Sequence, residues 1–268
     1  MNRKIRIALL GMCNSKNVLE NIILKDKIEN YFYAFQPCYI DITNKNKGLD
    51  IPYQYFYKTP IGNAYKDPFT KKTMQMDLNK TTLTSIETLN PDYLVIDLGS
   101  LNMKTWKVSY KDKSVFSRNA FAPECYKDLK ITLGENFSFE EVAITEDIKL
   151  KALTNLSNYL LKNWDLNKVI LFVESSPKYF EQQGKLIEIN EKNYNRQWEI
   201  KAIENTKKLS DIFAKQLNYK IKIFNDINDK IISLQKGEIN LHELPSAHHG
   251  NLETQKRQAE AFKKFLNI

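Results

Sequence analysis

The chain has 268 residues, 42% of them hydrophobic, with 8 Gly and 8 Pro, which excludes collagen-like and wholly disordered classes and allows a substantial core. Its 40 Lys+Arg against 32 Asp+Glu give a formal charge of +8, with lysine spread along the whole length. This reads as a solvated basic surface, open to peripheral contact with an anionic membrane, and no RNP, KH, zinc-finger or helix-turn-helix pattern points to a specific nucleic acid.

No apolar run approaches the ~20 residues of a membrane span. The N-terminal apolar stretch is interrupted by Asn14, Lys16 and Asn17, unlike a signal peptide, so Ile5–Leu10 reads as a strand and the expected location is cytoplasmic. A helix is expected over 15–29, where Val18, Leu19, Ile22 and Ile23 share a face, with Asn14 or Ser15 as N-cap. Tyr31–Phe35 reads as a second strand. Residues 37–80 hold Pro37, Pro52, Pro60 and Pro68 and read as a long insertion with little regular structure, followed by a helix at Thr81–Leu89. Leu94–Leu98 is a buried strand ending at Gly99. Residues 103–140 read as a second, irregular and aromatic insertion. A helix over 145–164, a strand at Val169–Val173, a polar loop to about 190, a helix over 193–217, a strand at Tyr219–Phe224 and a helix over 252–267 complete the chain.

Continuous apolar strands alternating with amphipathic helices predict a single α/β domain. The expected form is a three-layer, flavodoxin-like sandwich with a central parallel sheet of about five strands, carrying the insertions at about 37–80 and 103–140. Ligands of such sheets bind at the carboxyl ends of the strands, so candidate site residues are sought there. Cys13 and Ser15 follow the first strand at a β–α turn, where exposed amides and the helix dipole lower a thiol's pKa and favour a nucleophile. The other reading of Cys13 is a small buried hydrophobe. Cys38 and Cys125 have no such setting and read as packing residues; three cysteines at wide spacing form no disulfide framework and no zinc pattern. After the third strand, Gly99 and Asn102 offer a backbone N–H and a side-chain amide to an oxyanion, or else form an ordinary turn. His248 and His249 stand together before the last helix and supply a candidate general base. No cofactor and no metal are expected: adjacent imidazoles rarely converge on one ion without carboxylates.

Gly11-Met12-Cys13, the run Pro91-Asp92-Tyr93-Leu94-Val95-Ile96-Asp97-Leu98-Gly99 with Asn102, and His249-Gly250-Asn251 with Ala259 together resemble the SGNH/GDSL esterase superfamily. More narrowly, Gly11-Met-Cys-Asn-Ser-Lys-Asn17 is similar to the Gly-Ser-Cys-x-Ser-Arg-Asp start of an SGNH-like family found in bacterial surface-polysaccharide gene clusters, and to a capsule acetyltransferase family with a Gly-Asn-Cys-Gln start. The resemblance implies an acyl esterase or O-acyltransferase acting on a carbohydrate or acylated glycan, with an acyl donor where the reaction is a transfer. Cys13 or Ser15 would be the nucleophile, His249 or His248 the base, and Cys13 N–H, Gly99 N–H and Asn102 the oxyanion donors. The chain departs from the pattern where the acid is sought: Ser246 or Pro245 stands three residues before the histidine. Asp226 is the substitute, unless a Cys–His dyad operates. The departures also admit a catalytically inactive protein that binds glycan or a partner in a glycosylation or export complex.

Overall fold

The computed structural model describes residues 3–58, 68–118, 124–182, 185–233, 246–248 and 250–268. In chain order its first half holds β1 (Ile5–Gly11), α1 (Cys13–Leu19), β2 (Ile28–Phe35), α2 (Tyr53–Lys58), α3 (Pro68–Leu78), α4 (Thr82–Leu89), β3 (Tyr93–Asp97), β4 (Thr105–Tyr110), β5 (Lys113–Ser117) and α5 (Glu124–Leu133). The second half holds β6 (Phe137–Val142), α6 (Glu146–Asn163), β7 (Val169–Val173), β8 (Tyr179–Gln182), β9 (Lys185–Glu188), α7 (Gln197–Gln216), β10 (Lys222–Asn225), β11 (Ile231–Ile232) and α8 (Leu252–Leu266). The chain divides into two compact units, one of Met1–Tyr33, Pro91–Asn102 and Asp165–Ile268, the other of Ala34–Asn90 and Met103–Trp164. Among the described residues no helix is long and apolar enough to cross a membrane.

The first unit is built on a five-stranded sheet in the order β10-β7-β3-β1-β2. β1 with β3, β3 with β7, and β7 with β10 all pair in parallel. Every residue of β7 is buried, as its unbroken Val-Ile-Leu-Phe-Val run requires of a strand covered on both faces. The period-two alternation sends Ile170, Phe172 and Phe224 to one face, where they pack with Val18 and Leu19 of α1 and Ala259 and Phe262 of α8. Leu171, Val173 and Ile223 point the other way, toward Ser210 and Ala214 of α7.

α1 is shorter than the predicted 15–29 helix. The Asn21 side chain accepts from the Ile23 N–H (3.1 Å), a local turn that competes with helix continuation, and residues 20–27 form tight turns before β2 begins at Ile28. Met12, rather than Asn14 or Ser15, stands at the N-cap. The polar stretch before residue 190 is not all loop: β8 and β9 form an antiparallel hairpin, with β11 beside β8 in parallel. Phe180, Tyr194, Ile203, Ile232 and Ala247 make a small core beneath it.

The second unit contradicts the expectation of irregular insertions. β4 pairs antiparallel with both β5 and β6, in the order β5-β4-β6. Val108, Val115 and Phe137 of this sheet pack with Phe56, Met74, Tyr126 and Cys125. Lys80 is 2% exposed in this unit, with its ammonium 2.7 Å from Asp41 Oδ1 and 3.3 Å from Asp77 Oδ1. A lysine so buried keeps its charge because two carboxylates compensate it. Cys38 is fully buried, and that burial pushes its thiol up to about 12.

Candidate functional site

The strand order reverses between β1 and β3, the position at which sheets of this kind take ligands at the carboxyl edge. Asp97, the last residue of β3, is fully buried there and ties the segments after β1 and β3 together. Its Oδ2 accepts from the Ser15 hydroxyl (2.8 Å) and the Met12 N–H (3.3 Å), and its Oδ1 accepts from the Gly99 N–H (2.9 Å). Burial pushes the Asp97 carboxyl up to about 6, and the charge of Glu174 adds to the rise. Glycine is needed at position 99, because a Cβ there would stand 2.9 Å from Met12 Cγ.

Hydrogen bonds reassign three of the predicted residues. Ser15 is fully buried with its hydroxyl committed to Asp97, so it holds the turn and is not placed as a nucleophile. The Gly99 N–H is committed to Asp97 and is not free for an oxyanion. Asn102 donates to the Ala202 carbonyl (3.1 Å) and to Thr206 Oγ1 (2.8 Å), fastening the turn after β3 to α7 instead of facing a substrate. Cys13 heads α1 and remains partly accessible. Its thiol is shifted opposite to the expected direction: burial raises it, an amide hydrogen bond and Lys16 oppose that, and the charges of Glu174 and Asp97 reinforce it. The amides and dipole of a seven-residue helix do not overcome desolvation.

Asp226 follows β10 and is 3% exposed, but it is not the carboxylate that pairs with His248. Both its carboxylate oxygens accept from Gln258 Nε2 (2.9 and 2.8 Å), Oδ1 also accepts from the Ile227 N–H (2.8 Å), and Asn14 Nδ2 lies 3.4 Å from Oδ2. Burial raises its pKa.

The acid that the sequence reading missed is Glu174, the residue directly after β7. His248 Nδ1 lies 2.8 Å from Glu174 Oε2, and the fully buried Lys230 places its ammonium 2.6 Å from Oε1. Burial by itself would raise the Glu174 pKa, but the His248 and Lys230 charges and hydrogen bonds win and hold it down at about 2. The imidazole answers reciprocally: burial alone would lower it, and the Glu174 carboxylate raises it above its ordinary value. With Nδ1 engaged, Nε2 is the nitrogen left for a ligand. His249 and His242 lie outside the described residues.

His248 is held from both sides. Glu199 of α7, 2% exposed, accepts from the Ala247 N–H (2.6 Å) and the Ser246 hydroxyl (3.1 Å), and it pairs with Arg196 at 2.7 Å. Beyond the histidine, Gly250 bridges to Ile232 and the Asn251 N–H donates to the Ile231 carbonyl (2.8 Å), immediately before Asn251 caps α8. The arrangement joins an ionised, buried carboxylate to an imidazole with one nitrogen available, which is the equipment of a proton acceptor whose tautomer is fixed. The signal for Glu174 was present in the sequence, as an acid at the carboxyl end of the most apolar strand. Among the described residues no group of three His, Cys, Asp or Glu side chains is arranged to hold a metal ion. No model of a known family, no curated protein and no solved structure matches the chain.

Proposed function

We propose that the first unit is a flavodoxin-like, SGNH-like three-layer sandwich that performs acyl transfer or acyl-ester hydrolysis on a carbohydrate ester, in the modification of a bacterial surface polysaccharide. The sheet order β10-β7-β3-β1-β2 supports the fold assignment. The observation that carries the function is the 2.8 Å contact between His248 Nδ1 and a Glu174 carboxylate kept ionised by Lys230. In this reading His248 Nε2 takes the Cys13 thiol proton as the sulfur attacks the acyl carbonyl. It returns that proton to the departing sugar oxygen. The resulting thioester passes its acyl group to water or to a sugar hydroxyl. A thiol whose pKa is raised is protonated at neutral pH and therefore needs such a base. The oxyanion falls to the amides of the first turn of α1, which lack intrahelical acceptors.

The test is a panel of aryl and sugar acyl esters with the wild-type chain, Cys13→Ala and His248→Gln. Turnover should rise with pH through an ionisation above the ordinary histidine value of ~6.5 and fall at least ~100-fold in both variants. A second reading, a non-catalytic protein that binds glycan or a partner in a glycosylation or export complex, is favoured by the engaged Gly99 N–H and Asn102 amide and by the unactivated thiol. Turnover that is absent, or indifferent to both substitutions, would establish that reading instead.

A further inference from the structure

α7 carries small side chains at Thr206, Ser210 and Ala214, one helical turn apart on the face it buries. Where Ser210 and Ala214 meet Leu171 and Val173 of β7 and Ile223 of the edge strand β10, a cavity of about 510 Å³ remains. That is a volume suited to a small organic ligand. Leucine at either helix position would close much of it. The floor is apolar: Leu171, Val173, Ala214 and Ile223.

Several of the polar groups around this floor have no partner among the described residues. Ser210 is 2% exposed, and its hydroxyl makes no hydrogen bond among the described residues. A buried hydroxyl without a partner costs free energy, but this oxygen is itself sealed from solvent and is not offered to the cavity. Lys207, Asn225 and Asn228 also line the cavity, and none has an ion pair or side-chain hydrogen bond among the described residues. Asp211, the cavity's one carboxylate among its described lining residues, is already paired with Lys215 (2.7 Å) and the Tyr219 hydroxyl (3.0 Å). What is left facing the cavity is one ammonium and two amides above a hydrocarbon floor.

We propose that this cavity binds a small amphipathic carboxylate, its aliphatic part on the Leu171–Ile223 floor and its anionic head at Lys207 and the two asparagines. The cavity is lined by Val173 and Ser175 on either side of Glu174, but the proposed contacts use neither Glu174 nor His248, and hexanoate binding is read without reference to turnover. The test is titration of the ¹⁵N-labelled full chain with sodium hexanoate, with 1-hexanol and with inorganic phosphate, following the backbone amides of Ser210, Ala214 and Asn225. Hexanoate should give saturable shifts, hexanol should bind about tenfold more weakly for want of the charge, and phosphate should leave these amides unmoved. Lys207→Gln should weaken hexanoate about tenfold. Ala214→Leu should abolish its binding while leaving the melting temperature unchanged or higher, as filling a void does. If Ala214→Leu does not fold, Lys207→Gln and the three probes still decide. Absent saturation, binding of phosphate alone, hexanol binding as tightly as hexanoate, or hexanoate affinity indifferent to Lys207→Gln would each overturn the assignment.

Discussion

Replacing Glu174 with Gln tests the electrostatics of the candidate site most directly. The carboxyl is 3% exposed and titrates at about 2 in the folded chain, against an ordinary 4.5. The difference of roughly 2.5 pKa steps corresponds to about 3 kcal/mol of folding free energy at neutral pH, since each step is worth ~1.4 kcal/mol. The raised His248 pKa expresses the same contact from the other side and is not added to it. An independent expectation agrees: removing one member of a buried ion pair costs ~3–5 kcal/mol, because the survivor, here the fully buried Lys230, loses its compensation. The sign with pH follows from the depression. The stabilisation is fully present above the unfolded-state value near 4.5 and is lost as pH falls toward about 2. Urea unfolding at pH 7 should therefore show the variant about 3 kcal/mol less stable, and by pH 3.5 the gap should have narrowed by about 1.4 kcal/mol. The His248 titration, followed by NMR of its ring protons, should move down in the variant, because burial then acts on it without the carboxylate. A gap that is the same at pH 7 and pH 3.5, or a His248 titration that does not move, would refute the reasoning.

Asp97 carries the opposite sign: burial raises its pKa to about 6, so the fold favours its protonated form and a cost accrues as pH rises from the ordinary 3.8 through about 6. Asp97→Asn removes this titration, so its stability should depend less on pH between 4 and 7.5 than that of wild type, measured by urea unfolding at both pH values; its amide NH2 also sets a donor against an N–H where the carboxylate accepted, which lowers the stability at every pH. The Cys13 thiol, raised above 9.0 chiefly by burial, should react slowly with iodoacetamide at neutral pH, at a rate that still climbs with pH at 9.0 and has not levelled off there, read by peptide mass spectrometry; rapid labelling at pH 6 would contradict this. Glu199→Ala removes the acceptor of the Ala247 N–H and should cost about 2 kcal/mol. It should also weaken the low-field NMR signal of the proton between His248 and Glu174, and a signal unchanged from wild type would show that the segment needs no anchor on α7.

The sheet was legible because buried parallel strands advertise themselves as unbroken apolar runs: Leu94-Val-Ile and Val169-Ile-Leu-Phe-Val leave little alternative. The second unit was not, although its signal was present. Trp106, Val108 and Tyr110 alternate with Lys107 and Ser109, and Val115 sits opposite Val108 across a turn in which Lys111 takes a positive φ of 55°. Proline and aromatic density mask the period-two pattern inside it. The β8–β9 hairpin left less to find, since three of the four residues of β9 are exposed. Among site residues, Cys13, Gly99 and Asp226 were sought at strand ends, and all three do lie near the carboxyl edge. Their roles were misjudged because side-chain partners were invisible. No spacing rule reveals that the Gly99 N–H turns back onto Asp97, or that Gln258, thirty-two residues on, takes both oxygens of Asp226.

The acid was missed for a topological reason. The SGNH-like pattern places an acid three residues ahead of the histidine, where a local turn would hold a carboxylate against it. Here the histidine precedes α8, and the sheet order sets β7 between β3 and β10, so that its carboxyl end meets the segment after β10, which carries Lys230, and the segment before α8, which carries His248. Three stretches separated by more than fifty and then by eighteen positions thus converge on Glu174. The convergence also orders the charges of the edge. Asp97, Glu174 and Asp226 are all buried, and each raises or is raised by another. Lys230 and His248 both bind Glu174, so Glu174 alone of the three is depressed, while Asp97 and Asp226 are pushed toward their neutral forms. One fully ionised carboxylate beside two reluctant ones is a stable distribution of buried charge only while both cations stay where they are. Lys230→Met, which removes one cation, should therefore raise the Glu174 titration, and it should destabilise the chain most at neutral pH and least below pH 4, where Glu174 can take up a proton in compensation.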